Sequence, residues 1–159
     1  MGKMNVAQDI HIVPLRAYTT NTSTFSTACI NMKLYEKVEF LVMFETLSVA
    51  SSVLTVAQSS ATTMTGGTAI AARYRMPAAA GTDTMGATTA LESTGLTLTY
   101  GTFTGKGIIV DVDSQDMTTE SLPYVGLTFT TSSSASVIST MWALCWPKYP
   151  KETNASALT

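Results

Sequence analysis

Apolar and polar residues alternate with a period of two in several short segments of the chain. The clearest segment, Lys37–Glu45, places four apolar side chains on one face: Val38, Phe40, Val42 and Phe44. Its other face carries Glu39, Leu41, Met43 and Glu45. Alternation of this kind is typical of a β-strand with one buried face. We therefore predict a strand here, with the wholly apolar face directed toward the core.

Eight further segments have a strand-like pattern, and turn-forming residues separate them. In chain order they are Ile10–Ala17, Phe25–Met32, Ser52–Gln58, Ala69–Arg75, Leu96–Tyr100, Gly107–Val112, Tyr124–Thr131 and Ser136–Trp146. Pro14 interrupts the first segment, which favours an edge strand or a bend because proline has no N–H group for pairing. A tight turn is predicted at Thr65–Thr68, where two glycines tolerate a positive φ. Alternation predicts three groups that each share a face: Ile70, Ala72 and Tyr74, opposite Arg73 and Arg75; Leu96, Leu98 and Tyr100; and Val125, Leu127 and Phe129.

The number and spacing of these segments predict the architecture. We expect one all-β domain over residues 1–159, with no long helix. The fold class is an antiparallel β-sandwich, jelly-roll-like, with about eight to nine strands. The segment 76–95 is small, polar and without a strand period, so we predict a long loop with one helical turn near Ala87–Ser93, which would be either a mobile surface loop or a contact arm. Residues 1–12 are predicted to form an N-terminal arm, and residues 147–159 a C-terminal tail.

The last strand-like segment is apolar on both faces. One face carries Ile138, Trp142, Leu144 and Trp146, and the other carries Val137, Met141, Ala143 and Cys145. One set would fill the core. The other would meet a second sheet edge, a neighbouring subunit or the N-terminal arm, since soluble monomers avoid large exposed apolar patches. Pro147 should end strand pairing because it has no N–H group, and Lys148 and Tyr149 would then lead the tail along the surface.

The composition adds a second indication of assembly. Charged residues make up 13% of the chain, about half the usual share, and threonine and serine supply the remaining polarity. A surface poor in charge is unusual for a free monomer, although hydroxyl groups could also keep a monomer soluble. The net charge of −2 gives no basic footprint for nucleic acid. No apolar run approaches the roughly 18 residues of a membrane span, so we expect no membrane partner.

Candidate chemistry is sparse. Cys29 and Cys145 lie in apolar segments and are expected to be buried free thiols. His11 is the only histidine, so any histidine-dependent catalysis would have to use it, but we expect a side chain on the polar face of its strand. We therefore predict no enzyme, no catalytic residue and no cofactor.

The one dense acidic cluster lies at the end of a predicted strand: Asp111, Asp113, Asp116 and Glu120. Counted from Asp111, the glycine and glutamate that an EF-hand calcium loop needs are replaced by Asp116 and Leu122. We therefore expect aspartates that cap backbone N–H groups, and no metal site. Exposed aromatic side chains could instead form a sugar-stacking platform, and the candidates are Tyr124, Trp142, Trp146 and Tyr149.

Three stretches resemble small structural proteins of tailed bacteriophages: Leu34–Leu47, Gly107–Ser136 and Met141–Pro150. The first is a hydrophobic strand that follows a tyrosine. The second is an Asp-ending strand, a short acidic turn, a Tyr-Val-x-Leu strand and a Ser/Thr-rich tip. The third is a closing Ala-Leu strand followed by Pro-Lys-Tyr. The similarity covers about two thirds of the chain, and the segment 76–95 has no counterpart in it.

The resemblance implies a β-sandwich virion protein of the capsid decoration, or cement, type. It would be made in the host cytoplasm and would lie on the capsid surface, with the major capsid protein as partner and with itself as a homo-oligomer, expected to be a trimer. A carbohydrate- or host-binding module of a tail or fibre, and a minor head–tail connector component, remain the alternatives. The candidate interface residues are Ile10, Ile12, Trp142, Trp146, Lys148 and Tyr149.

Overall fold

The computed structural model describes residues 9–48, 51–64, 66–132, 135–149 and 157–158. They form two antiparallel sheets packed face to face. The strands of the first sheet are, in spatial order, β1 (His11–Asn21), β12 (Val137–Pro147), β4 (Tyr35–Leu47), β10 (Gly107–Asp113), β7 (Ala72–Arg75) and β8 (Thr89–Leu91). The second sheet has the order β2 (Phe25–Ser26), β11 (Tyr124–Thr131), β5 (Ser52–Ser59) and β6 (Thr68–Ile70), with β3 (Ile30–Asn31) also on β11 and β9 (Leu96–Leu98) also on β5. The helices that lie wholly within the described ranges are α1 (Tyr100–Phe103) and a 3₁₀ helix, Ser114–Asp116.

The core lies between the two sheets, and alternation within each strand builds it. All four apolar side chains predicted to face inward from β4 are buried, as are Val125, Leu127 and Phe129 of β11. The two sheets meet where the rings of Phe44 and Phe129 contact edge to face, with their centroids 6.4 Å apart. The predicted all-β sandwich and the predicted faces of these two strands are thus confirmed.

The strand order agrees with the jelly-roll-like prediction. Four strands of the first sheet, β1, β12, β4 and β10, interleave in sequence with the strands of the second sheet, because the chain crosses repeatedly between them. Such crossing is the pattern of a jelly roll, in which two sheets share one chain path. The short strands β7 and β8 extend the first sheet beyond β10. Including these short strands, the described residues contain twelve strands, more than the eight or nine predicted.

The segment Ala69–Arg75 was predicted as a single strand, and this prediction is wrong. It forms β6 in the second sheet and β7 in the first, and the chain passes between the sheets at Ala71. Thr65 of the turn predicted at Thr65–Thr68 lies outside the described residues. The strands on either side are further apart in sequence than a tight turn requires, since β5 ends at Ser59 and β6 begins at Thr68. Gly66 does adopt the expected positive φ, 68°.

The helical turn predicted near Ala87–Ser93 is replaced by a strand. This strand, β8, pairs with β7, and Leu91 is buried opposite Ala72. Burial of one leucine against a sheet edge outweighs the low strand propensity of the surrounding small residues. Tyr100 also departs from its predicted face, because the chain turns into α1 there and leaves the side chain half exposed. The segment Phe25–Met32 is likewise divided, into β2 and β3.

The predicted boundaries of the arm and the tail are also too wide. Strand β1 begins at His11, and Ile10 is 7% exposed, so both belong to the folded domain. Residues 1–8 of the predicted arm lie outside the described residues. At the other end, Ala157 is 1% exposed, and the backbone N–H of Asn31 donates to its carbonyl over 3.1 Å. The chain therefore returns to the core after Tyr149; residues 150–156 and 159 lie outside the described residues.

Candidate interaction surface

The outward-facing surfaces of the two sheets differ in character. The second sheet presents hydroxyl groups, and the Oγ of Ser26 lies 2.9 Å from the Oγ1 of Thr128 on the neighbouring strand. The first sheet presents large apolar side chains. A sandwich needs apolar side chains only on the inner faces of its two sheets. The apolar side chains on the outer face of the first sheet are therefore not required for folding.

The pairing register brings these apolar side chains together. One row crosses four strands, with Pro14 opposite Trp142, Trp142 opposite Leu41, and Leu41 opposite Ile109. Ile12 and Leu144 form a neighbouring pair on β1 and β12, and Met43 lies two residues along β4 from Leu41. We call this surface the outer apolar strip, and its members are Ile12, Pro14, Leu41, Met43, Ile109, Trp142 and Leu144.

Several side chains of the outer apolar strip are freely accessible. Met43 is 49% exposed, Ile12 44% and Trp142 41%. The remaining members, apart from the exposed Pro14, are half buried by their neighbours. Contiguous apolar surface of this kind is a feature of protein–protein contact sites.

A network of ion pairs borders the outer apolar strip. The Nζ of Lys37 lies 2.9 Å from a carboxylate oxygen of Glu39 and 3.1 Å from one of Asp111. Arg73 forms ion pairs with Asp113 and Asp116, the latter at 3.2 Å. These ion pairs join two cations to four carboxylates, so they leave a net charge of −2 at this border, which would not attract a strongly acidic partner.

The structure brings together only part of the predicted interface. Ile12, Trp142 and Trp146 lie on the same outer face, and the ring of Trp146 is half buried, with the Nζ of Lys37 5.5 Å from its centroid. Ile10 is buried in the domain, so its prediction as a contact residue is wrong for the described chain. Tyr149 is 75% exposed beyond the end of β12.

Lys148 lies away from the outer apolar strip. Its backbone N–H donates to the carbonyl of Leu34, and its side chain lines a groove at one end of the sandwich. That groove has a volume of about 470 Å³ and is also lined by Met32, Lys33, Met117 and Glu120. Lys148 and Trp142 therefore belong to different surfaces.

A second groove opens beside the outer apolar strip, where residues 77–85 fold over the start of β10. Its volume is about 240 Å³, and its apolar walls are Leu41, Met43 and Ile109 on the sheet and Pro77 and Met85 on the loop. Backbone pairing between Pro77 and Met85 holds the loop closed, and the Nζ of Lys106 donates to the carbonyl of Ala78 over 2.9 Å. We call this site the loop groove.

The predicted interface residues omit five members of the outer apolar strip: Pro14, Leu41, Met43, Ile109 and Leu144. A signal existed for two of them, because Leu41 and Met43 are large apolar residues on the face of β4 that does not enter the core. Ile109 has no comparable signal, and Met85, a wall of the loop groove, lies in the segment 76–95, which was predicted only as a whole to be a possible contact arm. Their role depends on which strand lies beside β4 and on where the 77–85 loop folds.

Among the described residues, the side chains considered for catalysis are His11, Cys29 and Cys145, and each is packed into the fold. His11 faces inward rather than toward the polar face, contrary to expectation, because it pairs with the buried Cys145. Its Nδ1 lies 2.6 Å from the hydroxyl of Tyr35.

Cys29 and Cys145 are free, buried thiols, as predicted. Burial raises the pKa of Cys29 to about 11 and that of Cys145 to about 12, so both stay protonated near neutral pH, where a thiol is a poor nucleophile.

The acidic cluster stabilises its own turn. The backbone N–H of Asp113 donates to the Oδ2 of Asp116 over 2.9 Å, which fits the predicted capping role. Among the residues that the structure describes, no group of three or more histidine, cysteine or acidic side chains is arranged to hold a metal ion.

The described helices are all too short or too polar to span a membrane.

Comparison with protein-family models, with curated proteins and with solved structures finds no significant match to this chain.

Proposed function

We propose that the protein is a structural component of a tailed-phage virion that binds and stabilises the capsid shell. In this proposal the outer apolar strip is the surface that becomes buried in the assembled particle. The observation that carries the proposal is that the outer face of the first sheet joins exposed Ile12, Met43 and Trp142 into one apolar surface that the fold itself does not need.

Two further observations support the proposal. The ion pairs around Lys37 and Arg73 form a polar rim, which matches the arrangement of an apolar centre and a polar border in protein contacts. Jelly rolls are also a fold of viral capsid domains, although this support is an analogy of fold alone. The resemblance of Leu34–Leu47 to phage structural proteins falls on β4, the strand that contributes Leu41 and Met43 to the surface.

The proposed mechanism is stabilisation by mass action. A subunit that binds only the assembled shell lowers the free energy of that state and makes it harder to unfold or burst. Contacts to several shell subunits raise the effective concentration, so individually modest contacts add up. The major capsid protein is the proposed partner, and the capsid surface is the proposed location.

The test is co-sedimentation of the purified protein with capsids that lack it, together with the copy number in intact virions. We expect binding, hundreds of copies per virion and greater thermal stability of decorated shells. Met43→Lys should reduce binding because it places a charge in the outer apolar strip, whereas Thr128→Lys on the second sheet should not. A copy number of about a dozen or fewer would favour the connector instead, and no co-sedimentation would contradict the proposal.

A carbohydrate-binding module is the second candidate, and the exposed indole of Trp142 favours it. Sugars stack on exposed aromatic rings and also need polar partners for their hydroxyl groups. The cross-strand neighbours of Trp142 are Pro14 and Leu41, which offer apolar contacts instead. Glycan-array binding that is lost in Trp142→Ala would support this candidate.

A further inference from the structure

We propose that the groove at one end of the sandwich, lined by Lys33, Lys148 and Glu120, binds an acidic peptide segment of a partner protein. An acidic side chain of that segment would lie on the lysine side, and a neighbouring apolar side chain would lie on the apolar wall. We call this site the end groove. It lies away from the outer apolar strip, so this proposal does not depend on the proposed function.

The end groove collects the positive charges that the fold leaves unpaired. Of the basic side chains that the structure describes, five form ion pairs or hydrogen bonds within the chain: Arg16, Lys37, Arg73, Arg75 and Lys106. The other two described basic residues, Lys33 and Lys148, have no such side-chain partner, and both line the end groove. Two unpaired cations on one groove are complementary to a carboxylate.

Hydrogen bonds of the backbone hold the two lysines at the same side of the end groove. The N–H of Lys148 donates to the carbonyl of Leu34 over 3.0 Å, which places Lys148 beside the residue that follows Lys33. The N–H of Lys33 donates to the Oδ1 of Asn31 over 3.1 Å. Both backbone positions are therefore fixed, while the exposed ammonium groups on their flexible stems are able to reach a ligand.

The opposite wall belongs to the connection between β10 and β11, which a buried glutamine holds in place. Gln58 is 0% exposed, and its Nε2 donates to the Oγ1 of Thr118 over 2.7 Å. Its Oε1 accepts from the backbone N–H of Thr118 over 3.1 Å. The N–H of Met32 donates to the carbonyl of Pro123 over 2.8 Å and joins the two walls. The end groove is thus preformed, which lowers the entropy lost on binding.

The end groove has the size and mixed lining of a ligand site. Its volume of about 470 Å³ falls within the range of roughly 300–1,000 Å³ that is usual for such sites. Met32, Met117 and Pro123 supply apolar surface beside the charged groups. Apolar walls with a few charged groups bind ligands that carry both characters, such as a leucine next to an acidic residue.

Glu120 limits the negative charge that the end groove accepts. The lining carries two positive charges, from the lysines, and one negative charge, from Glu120. Asp113 and Asp116, on either side of Ser114 in the chain, form ion pairs with Arg73. One carboxylate is therefore attracted to the lysines, whereas a run of acidic residues would be repelled by Glu120. The whole chain has a net charge of −2, so this attraction is local and is screened by salt.

Titration of the purified, ¹⁵N-labelled protein with two blocked peptides, followed by NMR, tests the proposal. The peptides are acetyl-Leu-Glu-Leu-amide and its neutral match, acetyl-Leu-Gln-Leu-amide. We expect the acidic peptide to cause saturable shifts of the amide signals of Lys33, Met117 and Thr119, and to bind at least about 5-fold more tightly than the neutral one at low salt. The absence of saturable shifts, or equal shifts with acetate alone, would overturn the proposal.

Substitutions of opposite effect sharpen the test. Lys33→Gln and Lys148→Gln should each raise the dissociation constant of the acidic peptide about 3-fold, and the double variant about 10-fold. Glu120→Gln should lower it about 2-fold because a repulsive charge is removed, a gain that a damaged fold would not produce. Lys106→Gln is the control at a lysine outside the end groove and should leave the constant unchanged.

Circular dichroism should show that each of these variants is folded. An unchanged or raised dissociation constant in Glu120→Gln would contradict the assigned charges. An equal effect of Lys106→Gln and Lys33→Gln would show that only the overall charge of the protein matters, which would also overturn the proposal.

Discussion

The Nδ1 of His11 lies 2.6 Å from the hydroxyl of Tyr35, a hydrogen bond that joins the edge strand β1 to the buried start of β4. The chain's only histidine thus contacts the end of the core. Removing only one partner of a partly buried hydrogen bond lowers the free energy of unfolding, because the remaining polar group stays away from water without its partner.

Tyr35→Phe should therefore destabilise the protein by about 1 kcal/mol, since it removes the hydroxyl and leaves the ring in place. Urea unfolding followed by circular dichroism measures the change in the free energy of unfolding. Tyr149→Phe, at an exposed tyrosine, is the matched control and should have no effect. Equal midpoints for both variants would show that the bond to His11 contributes nothing.

Alkaline pH should destabilise the fold. Burial raises the pKa of Cys29 to about 11 and that of Cys145 to about 12, from an ordinary thiol value of 9.0. Burial also raises the pKa of Tyr35 from 10.0 to about 12. Groups with a higher pKa in the folded state stabilise fully below the unfolded value and lose that contribution as pH rises toward the folded value. The free energy of unfolding should fall steadily from about pH 9 to pH 12.

Urea titrations at several pH values between 8 and 12 measure this fall, which should be on the order of 3 kcal/mol for Cys29 and about 4 kcal/mol for Cys145. Cys29→Ala combined with Cys145→Ala should move the onset of the fall upward, toward the tyrosine range. An unchanged pH profile in the double variant would contradict the assignment to the thiols. A thiol reagent at pH 8 should label both cysteines only after unfolding.

Gly95→Ala should be among the more damaging single substitutions. Gly95 has a φ of 92°, and a Cβ there would lie 2.8 Å from the backbone carbonyl oxygen of Leu54. A positive φ alone costs roughly 1–2 kcal/mol for alanine, and the contact would also push β9 away from β5. We expect a loss of about 2 kcal/mol or more in thermal or urea unfolding. Gly101→Ala in α1, where no atom would be met within 4 Å, is the control.

The ion pairs of Arg73 should contribute modestly to the free energy of unfolding. Arg73→Gln removes the contacts to Asp113 and Asp116 and leaves two neighbouring carboxylates, so we expect a destabilisation of about 0.5–1 kcal/mol that shrinks in high salt. Arg75→Gln is the control, because its one ion pair, with Glu39, is 4.0 Å long. Urea unfolding at low and high ionic strength compares the two variants. A larger effect for Arg75→Gln would contradict the assignment.

The return of the chain to the core at Ala157 should be essential for stability. Ala157→Asp would bury a charge against apolar side chains, which costs several kcal/mol when no partner is available. Ala79→Asp, on the exposed 77–85 loop, is the matched control and should be nearly neutral. Thermal unfolding of the two variants gives the comparison, and a similar melting temperature for both would show that the C-terminal contact is dispensable.

Much of the fold could be predicted because alternation is a local property. Val38, Phe40 and Val42 had to share a face once Lys37–Glu45 formed a strand, and a strand with one wholly apolar face had to bury it. The division of Ala69–Arg75 between two sheets could not be predicted in this way. Its apolar residues alternate without interruption, and only the positions of β5 and β10 decide where each half pairs.

The interaction surface was partly predictable for the same reason. The sequence alone shows that both faces of Val137–Pro147 are apolar. Only the structure shows that Met141, Ala143 and Cys145 fill the core while Trp142 faces outward. Which residues surround Trp142 was not predictable. Pro14 and Ile109 are far from it in sequence, and they share its row only because of the strand register.

The sequence by itself determined long strands such as Lys37–Glu45 and Tyr124–Thr131, their inward-facing side chains and the excess of apolar residues on the last strand, since each follows from the two-residue period of an extended chain. The tertiary structure alone decided that this excess, together with Leu41, Met43 and Ile109, forms one surface beside a preformed groove. Strand order and register are set by the packing of the whole core, and no local pattern in the chain encodes them.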